Sequence, residues 1–501
     1  MASRLENISQ QRLDKLNRLR ESGTDPYPHR YRRTHTSKEA VDALKDIETP
    51  QENISTRNLI DDNPKVYVAG RITARRKMGK IVFLDLRDRS GKIQLLLGDL
   101  INDKQLELLK EIDIGDFIGV EGRVFRTKTD EPTIAVSDFT LLSKSLRPLP
   151  EKWHGLSDVE TRYRQRYLDL ISNPEARDTF RIRSLVIAAI RNFLNERGFL
   201  EVETPVLQPS AGGALAKPFT THHNALDRDF YLRIALELHL KRLIVGGFDK
   251  VYEIGRIFRN EGVSTQHHPE FTMLETYEAY ADYNDVMAML EDMVYAVSRQ
   301  ASDDGKVIFE KETIDFKSPW RRISLRDAIK EESGIDFVEY HTIEKLAEKM
   351  HSLDIAVDPH KNWAKLVDEL LKTFVRPKLI QPTILFDYPI EMSPLAKNKK
   401  DDEKMVERFQ AYAGGLEIAN AYSELNDPIE QRKRFQEQMK ERLGDDEEEW
   451  TIDEDFLLAL EYGMPPTGGL GVGIDRLVML LTNQQAIREV ILFPQLRDKS
   501  E

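Results

Sequence analysis

The sequence predicts an α+β fold, in which a small β-barrel is followed by a larger domain that mixes strands and helices. Three observations support this prediction. Five short β-rich runs lie between Val66 and Leu142. An amphipathic helix is followed by a strand that stops at Pro205. Two further strand-like runs, which begin at Tyr252 and His267, are joined by a short polar loop and predict an antiparallel pair.

Changes in the sequence pattern divide the chain into four segments. They are an N-terminal helical extension (1–62), a barrel domain (63–146), a linker (147–162) and the larger domain (163–501). A five-stranded OB-fold is the most economical closed arrangement for the barrel. Pro148 and Pro150 mark the linker. Residues from about 300 to 405 are charged and helix-prone, so we expect a helical insertion there.

The larger domain opens with the amphipathic helix, in which Ile182, Val186, Ile190 and Phe193 lie on one apolar stripe. Gly198 suits the left-handed residue that often follows a helix end. The helix is therefore expected to pack against the strand that comes next.

The composition excludes several classes of function. The 501 residues suffice for two or three domains, and no apolar stretch is long enough to span a bilayer. The N-terminus has no signal-peptide pattern, so we expect a cytoplasmic protein with no membrane partner. The absence of cysteine excludes disulfides, thiolate nucleophiles and cysteine-ligated metals. A net charge of −13 argues against a non-specific nucleic-acid coat but permits a localised basic groove.

The densest group of chemically active residues lies between positions 231 and 277. Antiparallel pairing of the two runs would place Arg259, Glu261, Glu275 and Tyr277 near one face of a sheet. A single charged residue on a strand usually faces solvent. Several within apolar strands indicate a charged ligand, because buried charges need partners.

Two adjacent histidines, His267 and His268, follow the polar loop. Neighbouring residues on a strand point to opposite faces, so the pair is poorly placed to hold one metal ion. A contact with phosphate or adenine is the better hypothesis.

Two later runs carry a similar pattern. In the run 417–424, Asn420, Tyr422 and Glu424 would share one strand face. The run 468–481 is a glycine-rich strand followed by a helix, but Arg476 stands where a dinucleotide fingerprint would need glycine. Glycines that admit a ligand to the backbone, with an arginine aimed at phosphate, fit this pattern better.

Together, these motifs resemble those of the class II aminoacyl-tRNA synthetases and, within them, the lysine enzymes, over nearly the whole chain. The helix and strand ending at Pro205 resemble motif 1, which builds the dimer interface in that family. The run from Phe258 to Phe271 resembles motif 2, and Gly471–Arg476 resembles motif 3. The resemblance implies an antiparallel sheet flanked by helices and a homodimer.

The resemblance also implies a reaction and its residues. The carboxylate of L-lysine would attack the α-phosphorus of ATP, and lysine would then pass to the terminal adenosine of tRNA(Lys). Positioning and charge neutralisation can drive such a step without a protein nucleophile. Arg259 is implied to bridge carboxylate and α-phosphate, Arg476 to hold the terminal phosphate, and Phe271 to stack on adenine. The implied ATP-binding residues are Arg259, Asn260, Glu261, His267, His268, Phe271, Glu417, Ile418, Gly473, Ile474, Asp475 and Arg476.

The choice of lysine has a physical basis, because a substrate with two ammonium groups needs a pocket with excess negative charge. Three glutamates supply the charge, and the other members of the set are a tyrosine, an asparagine and a glycine beside the substrate. The implied lysine-binding residues are Gly213, Glu237, Glu275, Tyr277, Asn420 and Glu424. Each hydrogen bond to a charged group contributes about 1.5–3 kcal/mol.

The implied cofactor is Mg²⁺, with Glu417 as its ligand. Lysine enzymes usually carry an acid seven residues before this position, where this chain has Gln410. An amide oxygen can bind magnesium, but more weakly than a carboxylate. We therefore expect a raised magnesium requirement.

The barrel carries a second group of candidate residues. Arginines and lysines between positions 71 and 80 concentrate positive charge along one edge. In the family, an aromatic residue and a glutamine with the separation of Phe83 and Gln94 bind the central uridine of the anticodon. The implied anticodon-binding residues are Arg76, Phe83 and Gln94.

Three alternatives remain open at this point. An aspartate or asparagine ligase of the same subclass is disfavoured by the acidic pocket. A relative that attaches lysine to a protein would lack the barrel. An inactive binding module would be expected to have lost Arg259 and Arg476, which are present.

Overall fold

The structure is a computed structural model that describes residues 4–44, 63–150, 156–210, 212–214, 216–358, 361–442 and 452–497. The chain divides into two units, Met1–Gly155 and Leu156–Glu501. Within the described ranges, no helix is both long and apolar enough to cross a membrane.

The first unit is a closed barrel of five strands in the order β1-β2-β3-β5-β4. Its elements are α1 (Arg4–Glu21), α2 (Ser37–Asp42), β1 (Lys65–Met78), β2 (Ile81–Arg87), β3 (Lys92–Leu97), α3 (Asp103–Glu111), β4 (Phe117–Arg126) and β5 (Pro132–Ser143). Alternate residues of β2, namely Val82, Leu84 and Leu86, are buried inside the barrel because side chains alternate along a strand. The predicted OB-fold is confirmed.

The second unit is built on an eight-stranded sheet flanked by helices. Its first elements are α4 (Val159–Arg164), α5 (Arg166–Ser172), α6 (Pro174–Glu196), β6 (Leu200–Glu201), β7 (Leu207–Gln208), β8 (Thr220–His223), β9 (Arg228–Leu232), α7 (Glu237–Val245), β10 (Lys250–Phe258), β11 (Glu270–Ala279), α8 (Tyr283–Ser298), β12 (Lys306–Phe309) and β13 (Glu312–Asp315). Those that follow are β14 (Arg321–Ser324), α9 (Leu325–Ser333), α10 (Ile343–His351), α11 (Trp363–Leu370), β15 (Thr383–Pro389), β16 (Met405–Ala413), β17 (Leu416–Ser423), α12 (Pro428–Arg442), α13 (Glu454–Glu461), β18 (Thr467–Gly473), α14 (Ile474–Leu481) and α15 (Ile487–Val490).

The strand order of the main sheet is β14-β15-β16-β17-β18-β11-β10-β6. Only the pairings at its two edges, β14 with β15 and β10 with β6, are parallel. The antiparallel sheet with flanking helices is therefore as expected. The interval of about 300–405, expected to be a helical insertion, is only partly helical, because β14 and β15 belong to the main sheet.

The two faces of this sheet have different roles. On one face, α6, α8 and α14 pack against inward residues such as Leu274 and Ala421 to form the largest hydrophobic core. Because side chains alternate, the same strands present Glu275 and Asn420 on the opposite face. The candidate site lies on this second face, beside α7.

Candidate active site

The first of two cavities on this face has a volume of about 350 Å³. All six residues predicted to bind lysine line it, namely Gly213, Glu237, Glu275, Tyr277, Asn420 and Glu424. Its wall includes residues of α7, β11, β17 and β18, together with Arg408 of β16 and Phe435 of α12.

Burial gives two carboxyl groups of this cavity unusual acidities. Glu275 accepts hydrogen bonds from the Leu236 amide and the Tyr277 hydroxyl, each at 3.0 Å. Burial first, and the charge of Glu237 second, raise the pKa of Glu275 to about 7. Burial likewise raises the pKa of Glu424 to about 8, although the ammonium of Lys241 acts in the opposite direction. A cationic ligand would favour the ionised form of both groups.

Glu424 is the acid with unused bonding capacity. Only 1% of it is exposed; its Oε2 forms an ion pair with Lys241, whereas its Oε1 has no hydrogen-bond donor among the described residues. A buried carboxylate without well-aligned donors is costly. An ammonium group bound in the cavity would remove that cost.

Lys241 is a buried residue behind the cavity lining that sequence reasoning missed. Its Nζ is fully buried, donates to Glu237 Oε1 at 2.6 Å and contacts the Glu424 carboxylate. Burial alone would lower the pKa of Lys241, but the two carboxylates outweigh it and raise that pKa. The available signal was the four-residue spacing between Glu237 and Lys241, which pairs such residues on a helix.

The floor of the cavity is bare backbone. Gly469 and Gly471 of β18 lie opposite Tyr277 and Glu275 in the sheet register. A Cβ at Gly469 would lie 1.9 Å from a Glu424 oxygen, and one at Gly471 would lie 2.8 Å from Met273 Cε. Position 469 therefore requires glycine, as the glycine-rich pattern suggested, whereas at Gly471 the flexible end of Met273 would have to shift.

The second cavity, of about 220 Å³, adjoins the first. The two share Arg259, Met273, Arg408, Asn420 and Gly471. Its lining includes ten of the residues predicted to bind ATP, namely Arg259, Glu261, His267, His268, Phe271, Glu417, Ile418, Gly473, Asp475 and Arg476. A ligand that occupies both cavities would pass Arg259.

Arg259 is a cation with free donors at this shared wall. Its guanidinium makes two hydrogen bonds of 3.4 Å to the Ile234 carbonyl, and no ion pair within 4.0 Å among the described residues. The ring centroid of Phe271 lies 5.2 Å from the guanidinium carbon. Burial lowers the pKa of Arg259, although nearby carboxylates act in the opposite direction. An anion at the wall would meet strong donors that need little rearrangement.

Arg476 lies at the far side of the second cavity. It donates to the Glu417 carbonyl at 3.1 Å, and its Nη2 lies 3.4 Å from His267 Nε2. Burial, followed by the charge of Arg476, lowers the pKa of His267. A neutral His267 can accept the hydrogen bond and hold the guanidinium in place.

Four of the residues predicted to bind ATP have other contacts. Asn260 and Ile474 do not line the cavity: the backbone amide of Asn260 donates to the Lys217 carbonyl at 2.7 Å, and Ile474 is buried in the core. Both ring nitrogens of His268 are engaged, by the Glu270 carbonyl at 2.6 Å and the Gln495 amide at 2.9 Å. The Asp475 carboxylate accepts from Arg183 at 2.7 Å and from the Thr272 amide at 2.6 Å. His268 and Asp475 thus shape the cavity wall rather than offer free polar atoms.

Gln410, the departure noted in the sequence, also lines this cavity. Its Oε1 accepts hydrogen bonds from the hydroxyls of Tyr388 at 2.8 Å and Tyr412 at 2.9 Å. A carbonyl oxygen has two lone pairs, so this one has none left for a metal ion. The expectation that the amide oxygen could bind magnesium is therefore not supported by this geometry.

The fit of Mg²⁺ to the cavity rests on Glu417. No group of three or more histidine, aspartate or glutamate residues suited to a metal occurs in the described part of the chain. Magnesium is commonly held by one or two carboxylates together with substrate phosphates. The single carboxylate of Glu417 fits an ion that arrives with a nucleotide.

The three predicted anticodon-binding residues lie on one outer face of the barrel. Arg76 pairs with Phe83 across β1 and β2, and Asp85 pairs with Gln94 across β2 and β3. Arg76 Nη2 donates to Asp85 Oδ1 at 3.1 Å. Phe83 packs in a small cluster outside the main barrel core. Gln94 is only 8% exposed, so it is more enclosed than expected.

Comparison with known proteins agrees with this architecture. Residues 158–497 match the family described as tRNA synthetases class II (D, K and N), and residues 66–142 match the OB-fold nucleic acid binding domain. An antiparallel sheet that carries two adjoining cavities, with an OB-fold domain, thus defines a class II tRNA synthetase.

Similarity to individual relatives makes the assignment within this family more specific. A lysine–tRNA ligase from Dehalococcoides mccartyi is 60% identical over 99% of this chain and 98% of the relative. Lysine–tRNA ligases from Moorella thermoacetica (52% identity, 98% of each chain) and Bacillus subtilis (49% identity, 98% of this chain and 97% of the relative) are also similar. The chain belongs to the lysine–tRNA ligase family.

Proposed function

We propose that the protein activates L-lysine with ATP, forming lysyl-adenylate and diphosphate, and then transfers lysine to the terminal adenosine of tRNA(Lys). The observation that carries this proposal is the pair of adjoining cavities, one acidic and one rich in basic and aromatic groups, with Arg259 at their shared wall. An amino-acid carboxylate in the first cavity and an α-phosphate in the second would meet at this shared wall.

The residues at the wall supply positioning and charge. Arg259 is placed to donate to both the carboxylate and the α-phosphate, so that negative charge developing between them is neutralised by a group already in position. Arg476, held by His267, would bind the terminal phosphate. Phe271 packs on Arg259 and offers a ring to the adenine. No protein nucleophile is required.

The acidic cavity would recognise lysine through its two ammonium groups. Glu424 would receive the ε-ammonium, since its buried Oε1 has no hydrogen-bond donor among the described residues. Glu237, Asn420 and Gly213 would bind the other end of the amino acid, with Glu275 and Tyr277 completing the wall. An aspartate or asparagine substrate would meet acids where it needs donors.

Mg²⁺ belongs to this proposal as an ion held by Glu417 and the phosphates of ATP. Bound there, it would neutralise phosphate charge and orient the departing diphosphate. Gln410 would instead remain bonded to its two tyrosines.

The tRNA would contact both units. Arg76, Phe83 and Gln94 on the outer face of the barrel would bind the anticodon, by stacking and hydrogen bonding. We place the reaction in the cytoplasm, because charged tRNA is consumed in translation.

A homodimer through the motif 1 region is part of the proposal. Around β6 and β7, the apolar side chains of Leu200, Val206 and Leu207 are 47%, 39% and 45% exposed. A cluster of exposed apolar residues at a sheet edge is typical of a protein interface. Sedimentation equilibrium of the full chain and of a Leu200→Asp variant tests this assignment, which predicts a dimer that the variant weakens.

The decisive experiment for the function is tRNA charging with each of the twenty amino acids, alongside amino-acid-dependent ATP–diphosphate exchange. Lysine is expected to be the best substrate in both. Arg259→Ala is expected to reduce exchange by at least about 100-fold, whereas Arg256→Ala, a change at an exposed arginine of the preceding strand β10, should have little effect. A different preferred amino acid would overturn the proposal.

A further inference from the structure

Lys241 has no part in the proposed function, yet it lies directly behind the acidic cavity, in contact with two of the glutamates that line it. It projects from α7, is fully buried, and its ammonium lies between the carboxylates of Glu237 and Glu424. The ring centroid of Phe456 is 5.9 Å from Nζ on the side of α13. A buried lysine is costly unless its charge is matched. Its presence therefore calls for an explanation in terms of the charge of the cavity.

The charges of the cavity can be counted from its lining. Glu237, Glu275 and Glu424 bring three negative charges when ionised, and Lys241 compensates one of them. Two carboxylate charges remain, and a lysine substrate carries two ammonium groups. The substrate carboxylate is matched separately by Arg259.

The other charged groups that line the cavity are already engaged. Arg408 donates to the Met392 carbonyl at 2.6 Å and to Asn420 Oδ1 at 2.9 Å. Asp453 is paired with Arg242 at 2.7 Å. Asp453 is thus neutralised. Arg408 bonds to neutral oxygens, also lines the second cavity and forms no ion pair with the three glutamates among the described residues, so Lys241 is the cation that compensates one of them.

We propose that Lys241 is a positioning and specificity-determining residue: as a resident counter-ion it holds Glu237 and Glu424 and leaves the cavity with the two negative charges that a diammonium amino acid requires. This inference rests on the proposed assignment of the cavity to lysine. Lys241 acts through the two glutamates and does not itself touch the reacting atoms.

The consequence of removing this ammonium follows from the groups that face Glu424. Lys241 and Glu237 come from α7, and Glu275 and Tyr277 come from β11. Tyr422 comes from β17, the strand that Glu424 follows, and β18 contributes only glycine backbone at this point. Lys241 is the cation among them. Without it, three buried carboxyl groups would repel one another, and the one at position 424 would keep its proton up to a higher pH than it does with Lys241 present.

Protonation of Glu424 determines how the affinity for lysine changes with pH. A protonated acid attracts an ammonium group less than a carboxylate does, so affinity for lysine is lost below the pKa of Glu424 and regained above it. With Lys241 present, that pKa is about 8. Loss of the ammonium would raise it, so the recovery of affinity would move to higher pH.

The test compares Lys241→Gln, which keeps polar contacts but loses the charge, with Lys241→Arg, which keeps the charge. Lysine-dependent ATP–diphosphate exchange is measured from pH 6.5 to 9.5, with KM for lysine, KM for ATP and kcat determined separately. For Lys241→Gln, we expect the KM for lysine at pH 7 to rise by about 10- to 100-fold. That rise should shrink as pH increases, with KM for ATP unchanged. Lys241→Arg should restore part of the affinity and the pH profile.

A matched control is Lys250→Gln, which removes a lysine from an ion pair with Glu278 on the surface of the same unit. It should leave the KM for lysine unchanged. Should Lys241→Gln not fold, the double variant Glu237→Gln/Lys241→Gln removes one charge of each sign and avoids an unmatched buried charge. It keeps two uncompensated carboxylates, so its pH profile should resemble that of the unmodified protein even though its KM is higher.

Three results are decisive against this role. A wild-type KM in Lys241→Gln, or a rise that is independent of pH, would show that Lys241 is only structural. A double variant whose pH midpoint is shifted would refute the charge count. If the unmodified protein does not activate lysine at all, the proposed function fails first, and the two failures are thereby distinguished.

Discussion

Replacing Phe83 with alanine should separate tRNA recognition from amino-acid activation. The ring lies on the outer face of β2, beside Arg76, in a cluster with Leu96 and Phe125 that is distinct from the main barrel core. Stacking of a base on such a ring is worth about 1–3 kcal/mol. The expected loss in kcat/KM for tRNA is therefore about 5- to 150-fold. Because the ring is only partly buried, we expect the variant to lose about 1–2 kcal/mol of stability, less than a core phenylalanine would.

The assay is lysylation of tRNA at limiting tRNA concentration, compared with ATP–diphosphate exchange in its absence. Exchange should keep the rate of the unmodified protein, because the ring belongs to the barrel and not to either cavity. Phe117→Ala is a matched control, since Phe117 is a 36% exposed phenylalanine on β4 that stacks with Arg71. Equal losses in charging and exchange, or an equal effect of Phe117→Ala, would refute the assignment of Phe83 to the anticodon.

Three further predictions concern the second unit. Gln410→Glu adds a carboxylate to the second cavity. Because carboxylates bind magnesium more strongly than amides, the magnesium concentration for half-maximal exchange should fall by on the order of tenfold. An unchanged magnesium requirement would contradict this prediction. In the unmodified protein, the KM for lysine should fall as pH rises from 6 to 9. The reason is that ammonium binding needs the ionised forms of Glu275 and Glu424, whose pKa values are about 7 and about 8. Steady-state kinetics that show a constant or rising KM for lysine over this range would contradict the prediction. Arg166→Met removes a buried guanidinium that donates to Asp169 at 2.5 Å and to the Leu492 carbonyl at 2.9 Å. Urea unfolding should show that the free energy of unfolding falls by about 3–5 kcal/mol. A decrease below about 1 kcal/mol would show that Asp169 finds enough other donors.

Much of the fold could be predicted from local pattern. Alternation of apolar residues is enough to identify the barrel strands, and the two runs beginning at Tyr252 and His267 do pair in antiparallel fashion. The order of the main sheet could not be predicted in this way, because β18 pairs with β11 and β17, which are distant in sequence. The four-residue strand β14 has too few residues to show a period within a charged, helix-prone interval.

The candidate site, like the fold, could be predicted from the sequence only in part. Acids such as Glu237 and Glu424 could be nominated because the substrate chemistry demands negative charge. The counter-ion Lys241 could not, since its relevance depends on a contact with Glu424, which lies on another element. The bonds that occupy Gln410 come partly from Tyr388, 22 residues away. Pairwise contacts across the sheet decide which polar atoms are free, and sequence spacing does not encode them.

The glycine floor formed by Gly469 and Gly471 has a consequence for changing the substrate of this site. A side chain introduced at Gly469 would occupy the space of a Glu424 oxygen and of the Tyr277 ring, so this position cannot be used to adjust selectivity. At Gly471 a new side chain would crowd only the flexible end of Met273. Redesign for another amino acid must therefore leave Gly469 unchanged and act on the walls, at residues of α7, β11 and β17.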